Sequence, residues 1–218
     1  MNQTVKELLK RKGPLAENEV KDLMKSYNIP TTKYEVVDTE EDVRNIRLKF
    51  PVALKVCSPN ILHKTDVGGV KLNIENNKEL LQEFLAFRKK FPEEHLLVDQ
   101  MAKKGVEIIV GLVQDPSFGL TIMAGIGGIF TELYKDVSFR VVEIDRYDAE
   151  QMIEELEGKK LLEGFRNMKA NKQLVIDLLL KVSKIGEELM EHIDQMDLNP
   201  VFVYEDGICV VDAKMILK

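Results

Sequence analysis

One short segment contains side chains that could carry out covalent chemistry. Residues 61–70, ILHKTDVGGV, place a histidine, a lysine and an aspartate directly before two glycines, between two segments with the pattern of β-strands. Near pH 7 an imidazole is largely neutral and offers a nitrogen nucleophile. Asp66 is close enough in sequence to orient His63. The ordinary alternative is a loop histidine that hydrogen-bonds to the backbone, and the local sequence leaves both roles open.

A lysine and a glycine-rich loop are candidates for binding an anion. In PVALKV, the alternation of Val52, Leu54 and Val56 points Lys55 to the other face of the strand, where it is either solvated or a point charge for a phosphate. GIGG at 125–128 would let backbone N–H groups approach an anion, or it is a tight connection after a buried strand. It matches neither the P-loop nor the dinucleotide-binding pattern.

Two oxygen-bearing side chains near the C-terminal end could share a cation. Asp206-Gly207 is a strong two-residue hairpin turn, which predicts that Asp212 faces Val201. Asn199 then lies diagonally across from Asp212, with about 7–8 Å between the two Cα atoms. That span suits Mg²⁺ held by one or two protein oxygens together with phosphates. The alternative is a pair of exposed polar residues.

The elements that must position these residues follow from periodicity and turn residues. Helices are predicted over 16–26, 39–50, 78–91, 147–162 and 171–193. Strands are predicted over 33–37, 51–56, 68–74, 95–101, 107–114, 119–125 and 139–144, with a closing hairpin over 199–215. This order predicts two α+β lobes that meet near residues 98–102, an N-terminal lobe over 1–98 and a C-terminal lobe over 99–218.

Composition excludes several classes of protein. The 218 residues carry a net charge of −6, with 44% hydrophobic and 31% charged residues, which is typical of a soluble globular chain and argues against a nucleic-acid partner. Cys57 and Cys209 lack the spacing of a zinc site or a disulfide framework. No stretch has the pattern of a signal peptide or a membrane span, so we expect a cytoplasmic protein with no membrane partner.

Four longer motifs together resemble a known family. PVALKVCSPNILHKTDVGGV, LLVDQMAKKGVEIIVGLVQDPSFG, AGIGGIFTELYKDVSFRVV and MDLNPVFVYEDGICVVDA are similar to the β subunit of ADP-forming acetyl-CoA synthetase. The resemblance covers nearly the whole chain beyond residue 15. It implies an ATP-grasp fold, in which two α+β lobes hold ATP between them. It also implies a CoA-binding α subunit as partner, with two copies of each subunit.

The same resemblance implies a role for individual residues. His63 would take up a phosphoryl group and pass it between ATP and a second histidine on the partner. Asn199 and Asp212 would bind Mg²⁺. The implied contacts to ATP or ADP are Lys55 at the phosphates, Gln100 and Met101 at the adenine, Glu107 at the sugar, Gly125, Gly127 and Gly128 over the phosphates, and Arg140.

The sequence departs from the family pattern at two positions. Asp197 stands where ATP-grasp proteins often have glutamate, which leaves its contact with the metal open, and Glu143 stands where proline is expected. Two other functions compete with the acyl-CoA ligase. An ATP-grasp acid–amine ligase acting through an acyl phosphate would need no histidine carrier, and a regulatory module would bind nucleotide without transferring phosphate.

Overall fold

Two antiparallel sheets organise the chain in the computed structural model, which describes residues 7–128, 135–164 and 169–218. The smaller sheet has the order β2-β5-β3-β4, with β2 at Tyr34–Val37, β3 at Val52–Cys57, β4 at Val70–Ile74 and β5 at His95–Gln100. The larger sheet has the order β1-β11-β9-β6-β7-β8, and β10 pairs with β9. Its strands are β1 Gly13–Pro14, β6 Val106–Asp115, β7 Gly119–Ile126, β8 Val137–Val141, β9 Ile193–Val203, β10 Ile208–Val210 and β11 Ala213–Leu217.

The smaller lobe packs two helices on one face of its sheet. These are α2, Glu40–Arg44, and α3, Asn77–Lys90. The side chains of Thr39 and Asn76 cap them by accepting hydrogen bonds from backbone N–H groups in the first turn. Val52, Leu54 and Val56 of β3 point into this core, which confirms the predicted alternation and leaves Lys55 on the opposite face.

The larger lobe carries the other helices. They are α1, Glu17–Ser26, α4, Arg146–Glu154, and α5, Lys172–Glu188, with a 3₁₀ turn at Glu157–Leu161. Alternate residues of β6, β7 and β9 are buried in one core with α5. The opposite face of this sheet is therefore available for a ligand site. None of the helices within the described ranges is both long and apolar enough to cross a bilayer.

The N-terminal segment belongs with the larger sheet. Leu15, Val20 and Met24 lie in the core of the larger lobe, and β1 pairs with β11. The core of the smaller lobe is drawn from residues between Val37 and Val98. The division of the chain near residue 98 stays a prediction. The segment 13–29, predicted in the N-terminal lobe, packs with the larger lobe instead.

Three predicted helices are shorter than their patterns suggested. The helix predicted over 147–162 ends at Glu154 and is followed by a 3₁₀ turn. The helix predicted over 39–50 ends at Arg44. The N–H of the next residue, Asn45, bonds back to the last turn, and Pro51 disfavours helical backbone at the residue before it. The helix predicted over 171–193 ends at Glu188, and strand β9 starts at Ile193. Pairing with both β6 and β11 stabilises an extended backbone there, which local periodicity does not show.

The predicted register of the closing hairpin is wrong by two residues. Val210, not Asp212, pairs with Val201, and the N–H of Tyr204 donates to the Gly207 carbonyl at 2.8 Å. The turn is therefore centred on residues 205–206. The backbone of Gly207 does not adopt the positive φ that a type I′ Asp-Gly turn requires.

Candidate nucleotide and phosphoryl-transfer site

A cavity of about 1120 Å³ lies where the chain crosses from the smaller lobe to the larger one. The crossing segment from Gln100 to Glu107 forms one wall. Residues of the larger lobe, including Tyr204 and Cys209, form the facing wall, and Lys33 and Thr32 close one side. The cavity therefore contains three of the residues predicted to contact the nucleotide, Gln100, Met101 and Glu107.

Backbone hydrogen bonds hold the crossing segment at the end of β5. The N–H of Gln100 donates to the Lys33 carbonyl at 2.8 Å, and that of Met101 donates to the Pro51 carbonyl at 3.1 Å. The Gln100 side-chain oxygen accepts from the N–H of Lys49 at 3.3 Å. This edge of the cavity is thus fixed to the smaller lobe.

The glycine-rich loop meets the cavity at Glu107. The N–H of Gly127 donates to the Glu107 carbonyl at 2.7 Å, and a Cβ on Gly127 would lie 2.9 Å from the Glu107 Cβ. Gly128 has φ +68°, a conformation that glycine adopts without strain. Gly125 instead lies within β7, packed against the backbone of Asp136. Residues 129–134, which continue the loop, lie outside the described ranges.

Lys55 lies in a buried ionic network that joins the two lobes. Its Nζ is 2.7 Å from Oε1 of Glu17 in α1 and 2.8 Å from Oδ2 of Asp99 in β5. Lys21 contacts the same two carboxylates, at 2.9 and 2.6 Å, and donates to Oγ1 of Thr32 at 2.8 Å. Because Thr32 lines the cavity, the network begins at the cavity wall.

Lys64 and Asp212 form the other end of this network. The ammonium group of Lys64 is bonded to Oε2 of Glu17 and lies 2.9 Å from Oδ1 of Asp212. The network thus contains three lysines, Lys21, Lys55 and Lys64, and three carboxylates, Glu17, Asp99 and Asp212. Its charges balance, as burial demands.

The pKa shifts follow from this arrangement. Burial would raise the pKa of Glu17, but the ammonium groups of Lys55, Lys21 and Lys64 outweigh it and hold that pKa well below its ordinary value. Burial would likewise lower the pKa of Lys55, but the Glu17 and Asp99 carboxylates raise it. Burial and the nearby Glu17 carboxylate raise the pKa of Asp212 despite Lys55 and Lys64. The network thus compensates the charge of Asp212 less than that of Glu17.

Asn199 and Asp212 are neighbours in a geometry that suits a hard cation. The observed register places them directly opposite each other, and the N–H of Asn199 donates to the Asp212 carbonyl at 3.1 Å. Their side chains project from the same face of the sheet, with Cβ atoms about 4.5–5.5 Å apart. The described residues contain no cluster of three or more acidic, histidine or cysteine ligands, so phosphate oxygens would have to complete the coordination. The donor set fits Mg²⁺ bound together with a nucleotide.

Asp197 is the next polar residue on the same face of β9. It lies opposite Lys214, and burial raises its pKa, with Asp212 adding to the shift and Lys214 opposing it. Asp197 lines a groove of about 120 Å³ against which His63 lies. The other walls come from Gln195, Lys214 and Ile216.

His63 is exposed at the tip of its loop. Within the described ranges its imidazole forms no hydrogen bond or ion pair, so Asp66 does not orient it. The next residue, Lys64, is buried in the ionic network. His63 does not line the nucleotide cavity, but the network connects its neighbour to that cavity.

Arg140 lies apart from both the cavity and the ionic network. It pairs with Ile122 across β7 and β8, so it projects from the face that packs on the helices. Its guanidinium bonds to both oxygens of Glu155 just beyond α4. Ser138 also donates to that carboxylate. Arg140 therefore holds β8 to α4 instead of facing the cavity.

Sequence reasoning missed four members of the network, Glu17, Lys21, Asp99 and Lys64, although Lys64 stands in the segment 61–70 next to His63. Glu17 and Lys21 are one helical turn apart and read as ordinary charged residues of an exposed helix face, whereas both are buried. Asp99 carried a readable signal, because it interrupts the apolar run LLV in a strand. A charge in such a strand needs a buried partner.

Comparisons with known proteins agree with this geometry. A family model described as an ATP-grasp domain matches residues 7–217. The chain is 41% identical over 214 residues to the β subunit of acetate–CoA ligase (ADP-forming) I of Pyrococcus furiosus, covering 94% of this chain and 92% of that subunit. It is 42% identical over 205 residues to acetate–CoA ligase (ADP-forming) II of Archaeoglobus fulgidus, covering 93% of this chain but only 30% of that longer protein.

A solved structure shows the same fold at similar identity. It is acetyl-coenzyme A synthetase 1 of Ca. Korarchaeum cryptofilum with coenzyme A and Mg-AMPPCP, in which a phosphohistidine segment points towards the nucleotide-binding site. The two chains are 43% identical, with a TM-score of 0.84 and coverage of 99% of this chain and 100% of the other. The chain therefore belongs to the ATP-grasp family and, within it, to the β subunits of ADP-forming acetate–CoA ligases.

Proposed function

We propose that this chain is the nucleotide-binding β subunit of an ADP-forming acyl-CoA synthetase, which converts acyl-CoA, ADP and phosphate into a carboxylate, CoA and ATP through a phosphohistidine. The observation that carries the proposal is that His63 is exposed and has no hydrogen-bond partner among the described residues, whereas the next residue, Lys64, is buried and bonded to the predicted metal ligand Asp212. A structural histidine would not be placed in this way. Because the substrates are ATP and coenzyme A, we place the reaction in the cytoplasm.

The side chains divide the work of phosphoryl transfer. Gln100, Met101 and Glu107 would hold the nucleoside in the cavity. Lys55, which the carboxylates of Glu17 and Asp99 keep charged despite burial, would neutralise the phosphates together with the N–H group of Gly128. Positioning and charge neutralisation are the main requirements of such a reaction.

The covalent step takes place on His63. An imidazole nitrogen attacks the terminal phosphorus of ATP, a P–N bond forms, the bond from phosphorus to the bridging oxygen breaks and ADP leaves. The imidazole N–H proton is lost to solvent. The reverse transfer to ADP makes ATP. When bound by Asn199 and Asp212, Mg²⁺ would supply charge neutralisation at the β- and γ-phosphates.

The proposal includes a CoA-binding α subunit, with two copies of each subunit. The β-subunit relatives imply a partner, and the longer Archaeoglobus fulgidus protein, of which this chain spans 30%, supports a complete enzyme with further domains. The acyl group would react on the partner, which would hold a second histidine. His63 would then carry phosphate between the two sites.

The proposed relay is tested by labelling the protein with γ-³²P-ATP and Mg²⁺. We expect phosphate on the chain that is lost in acid and retained in base, as phosphohistidine is. An acid–amine ligase acting through an acyl phosphate would leave no such label. A regulatory module would bind ATP and transfer nothing, so either result would overturn the relay.

A second test concerns the partner. The isolated chain should bind Mg-ADP without forming acyl-CoA, and addition of the α subunit should restore the full reaction. Acyl-CoA formation by this chain alone would contradict the assignment of CoA binding to a partner.

A further inference from the structure

Lys64 is a buried lysine that the proposed mechanism does not yet use. Its side chain is 7% exposed, and its Nζ lies between Glu17 and Oδ1 of Asp212, 2.9 Å from the latter. His63, the preceding residue, faces outwards. A residue directly joined to the phosphoryl carrier is thus bonded to the carboxylate that would bind Mg²⁺.

Lys64 provides the only side-chain ion pair between the segment 61–67 and the rest of the described chain. Ile61 packs against the core of the smaller lobe, and the other polar restraints involve the backbone of the segment. The N–H of Gly69 donates to the Lys64 carbonyl at 2.6 Å, and Lys90 donates to the Val67 carbonyl at 2.6 Å. These bonds fix the shape and the far end of the loop. Lys64 is therefore what attaches the histidine end to the larger lobe.

The two partners of Lys64 are not equivalent. Glu17 remains paired with Lys21 and Lys55 if Lys64 leaves, so its charge stays compensated. Asp212 has no other cation within salt-bridge distance in the described part of the chain. An ammonium group and Mg²⁺ cannot share one carboxylate closely without mutual repulsion.

We propose that Lys64 is a positioning residue that competes with Mg²⁺ for Asp212, so that binding of the Mg-nucleotide releases the His63 segment from the larger lobe. The inference rests on the proposed function for its metal site and its carrier histidine. Without Mg²⁺, Lys64 holds the segment in place. When Mg²⁺ takes Asp212, the segment loses its attachment and His63 becomes free to move.

The competition requires a reciprocal effect on binding, because coupling between two events acts equally in both directions. Removing the Lys64 ammonium should tighten Mg-ADP binding, since Mg²⁺ no longer displaces a bound cation. If Lys64 were instead a phosphate ligand, the same substitution would weaken binding. The two roles therefore predict changes of opposite sign.

The binding test compares Lys64→Met with the wild-type chain by calorimetry, using Mg-ADP and then ADP in EDTA. We expect Mg-ADP to bind at least about fivefold more tightly to the variant, the lower end of the usual range of coupling, with little change for metal-free ADP. Lys64→Arg, which can still pair with Asp212, should restore wild-type affinity. The matched control is Lys71→Met, since Lys71 pairs with Glu83 at the surface of the same lobe.

A second measurement needs no substitution. Hydrogen exchange of the amides in 61–69 should become faster in the wild-type chain when Mg-ADP is added, and should already be fast in Lys64→Met. The role of Lys64 would be overturned if exchange stayed unchanged or became slower. It would also be overturned if Lys64→Met bound Mg-ADP as tightly as the wild type or more weakly. If ATP still labels His63 although the role of Lys64 has been overturned, the proposed function remains valid without this further inference. Failure of the wild-type chain to bind Mg-ADP would overturn both.

Discussion

Asp212 lies directly opposite Asn199, and the backbone N–H of Asn199 donates to the Asp212 carbonyl at 3.1 Å. The hydrogen bond fixes the register of these two residues, whose side chains project from the same face of the larger sheet. The pair therefore has a preset spacing before any cation binds. Asp212 also contacts Lys64, so the same carboxylate links the metal site to the loop of His63.

Asp212→Asn should separate metal-dependent transfer from nucleotide binding. The amide cannot supply the ligand charge, so we expect phosphorylation by Mg-ATP to fall by at least about 10- to 100-fold, the loss that even outer-shell changes cause at metal sites. Binding of metal-free ADP should change little, because Gln100, Met101 and Glu107 in the cavity wall remain. The rates are measured with labelled ATP against Asp194→Asn, an exposed position on the same strand. Equal loss of both properties would contradict the assignment.

His63→Ala should abolish transfer without affecting the fold. Because the side chain is exposed and unpartnered among the described residues, we expect a change in unfolding free energy of less than about 0.5 kcal/mol. Label from ATP should no longer reach this chain or the partner, whereas the partner should still take up inorganic phosphate in the presence of acyl-CoA.

The matched control for that variant is His95→Ala. His95 is also exposed in the smaller lobe, and its Nδ1 lies 2.8 Å from Asp38, away from the site. This control should be labelled normally. A His63→Ala complex that still couples acyl-CoA cleavage to ATP synthesis would show that the relay is wrong.

Gly127→Ala should disturb the cavity through Glu107. The new methyl group would lie 2.9 Å from the Glu107 Cβ and 3.0 Å from its carbonyl carbon, so the strand or the loop must move. Overpacking of this kind costs about 1–3 kcal/mol of stability, and ADP affinity should fall with it. Gly207→Ala is the control, because among the described residues no atom beyond its chain neighbours lies within 4 Å of its Cβ position. Denaturant unfolding and ADP titration would check both, and normal ADP binding by Gly127→Ala would remove this loop from the site.

The charge of Glu17 should make the free energy of unfolding depend on pH in the acidic range. Its pKa is lower in the folded chain than the ordinary 4.5, so its contribution is complete above about pH 4.5 and is lost as the pH falls towards the folded-state pKa. Glu17→Gln should therefore be less stable at pH 7 and lose less stability between about pH 5 and 3 than the wild type. Urea unfolding at several pH values measures this, with exposed Glu40→Gln as the control. Parallel pH profiles for the wild type and Glu17→Gln would contradict the prediction.

Several features were readable from sequence because they depend on residues close together in the chain. Alternation in PVALKV predicted which face of β3 carries Lys55, and the structure confirms it. Similarly local patterns predicted that a strand precedes the loop of His63 and another follows it. They also predicted that the chain crosses between the lobes near Gln100. The position of the hairpin turn is harder to predict from sequence. Whether the turn is centred on residues 205–206 or on Asp206-Gly207 depends on the pairing of the flanking strands.

Only the tertiary structure decided which charges meet. Lys55 contacts Glu17, 38 residues earlier, and Asp99, 44 residues later, and Lys64 reaches Asp212 across 148 residues. Nothing in the local pattern of any of these segments shows such pairings, because they arise when the two lobes pack and exclude water. The residue types that could perform the chemistry can thus be identified from the sequence alone. Their ionisation and their partners depend on burial, which exists only once the lobes are assembled.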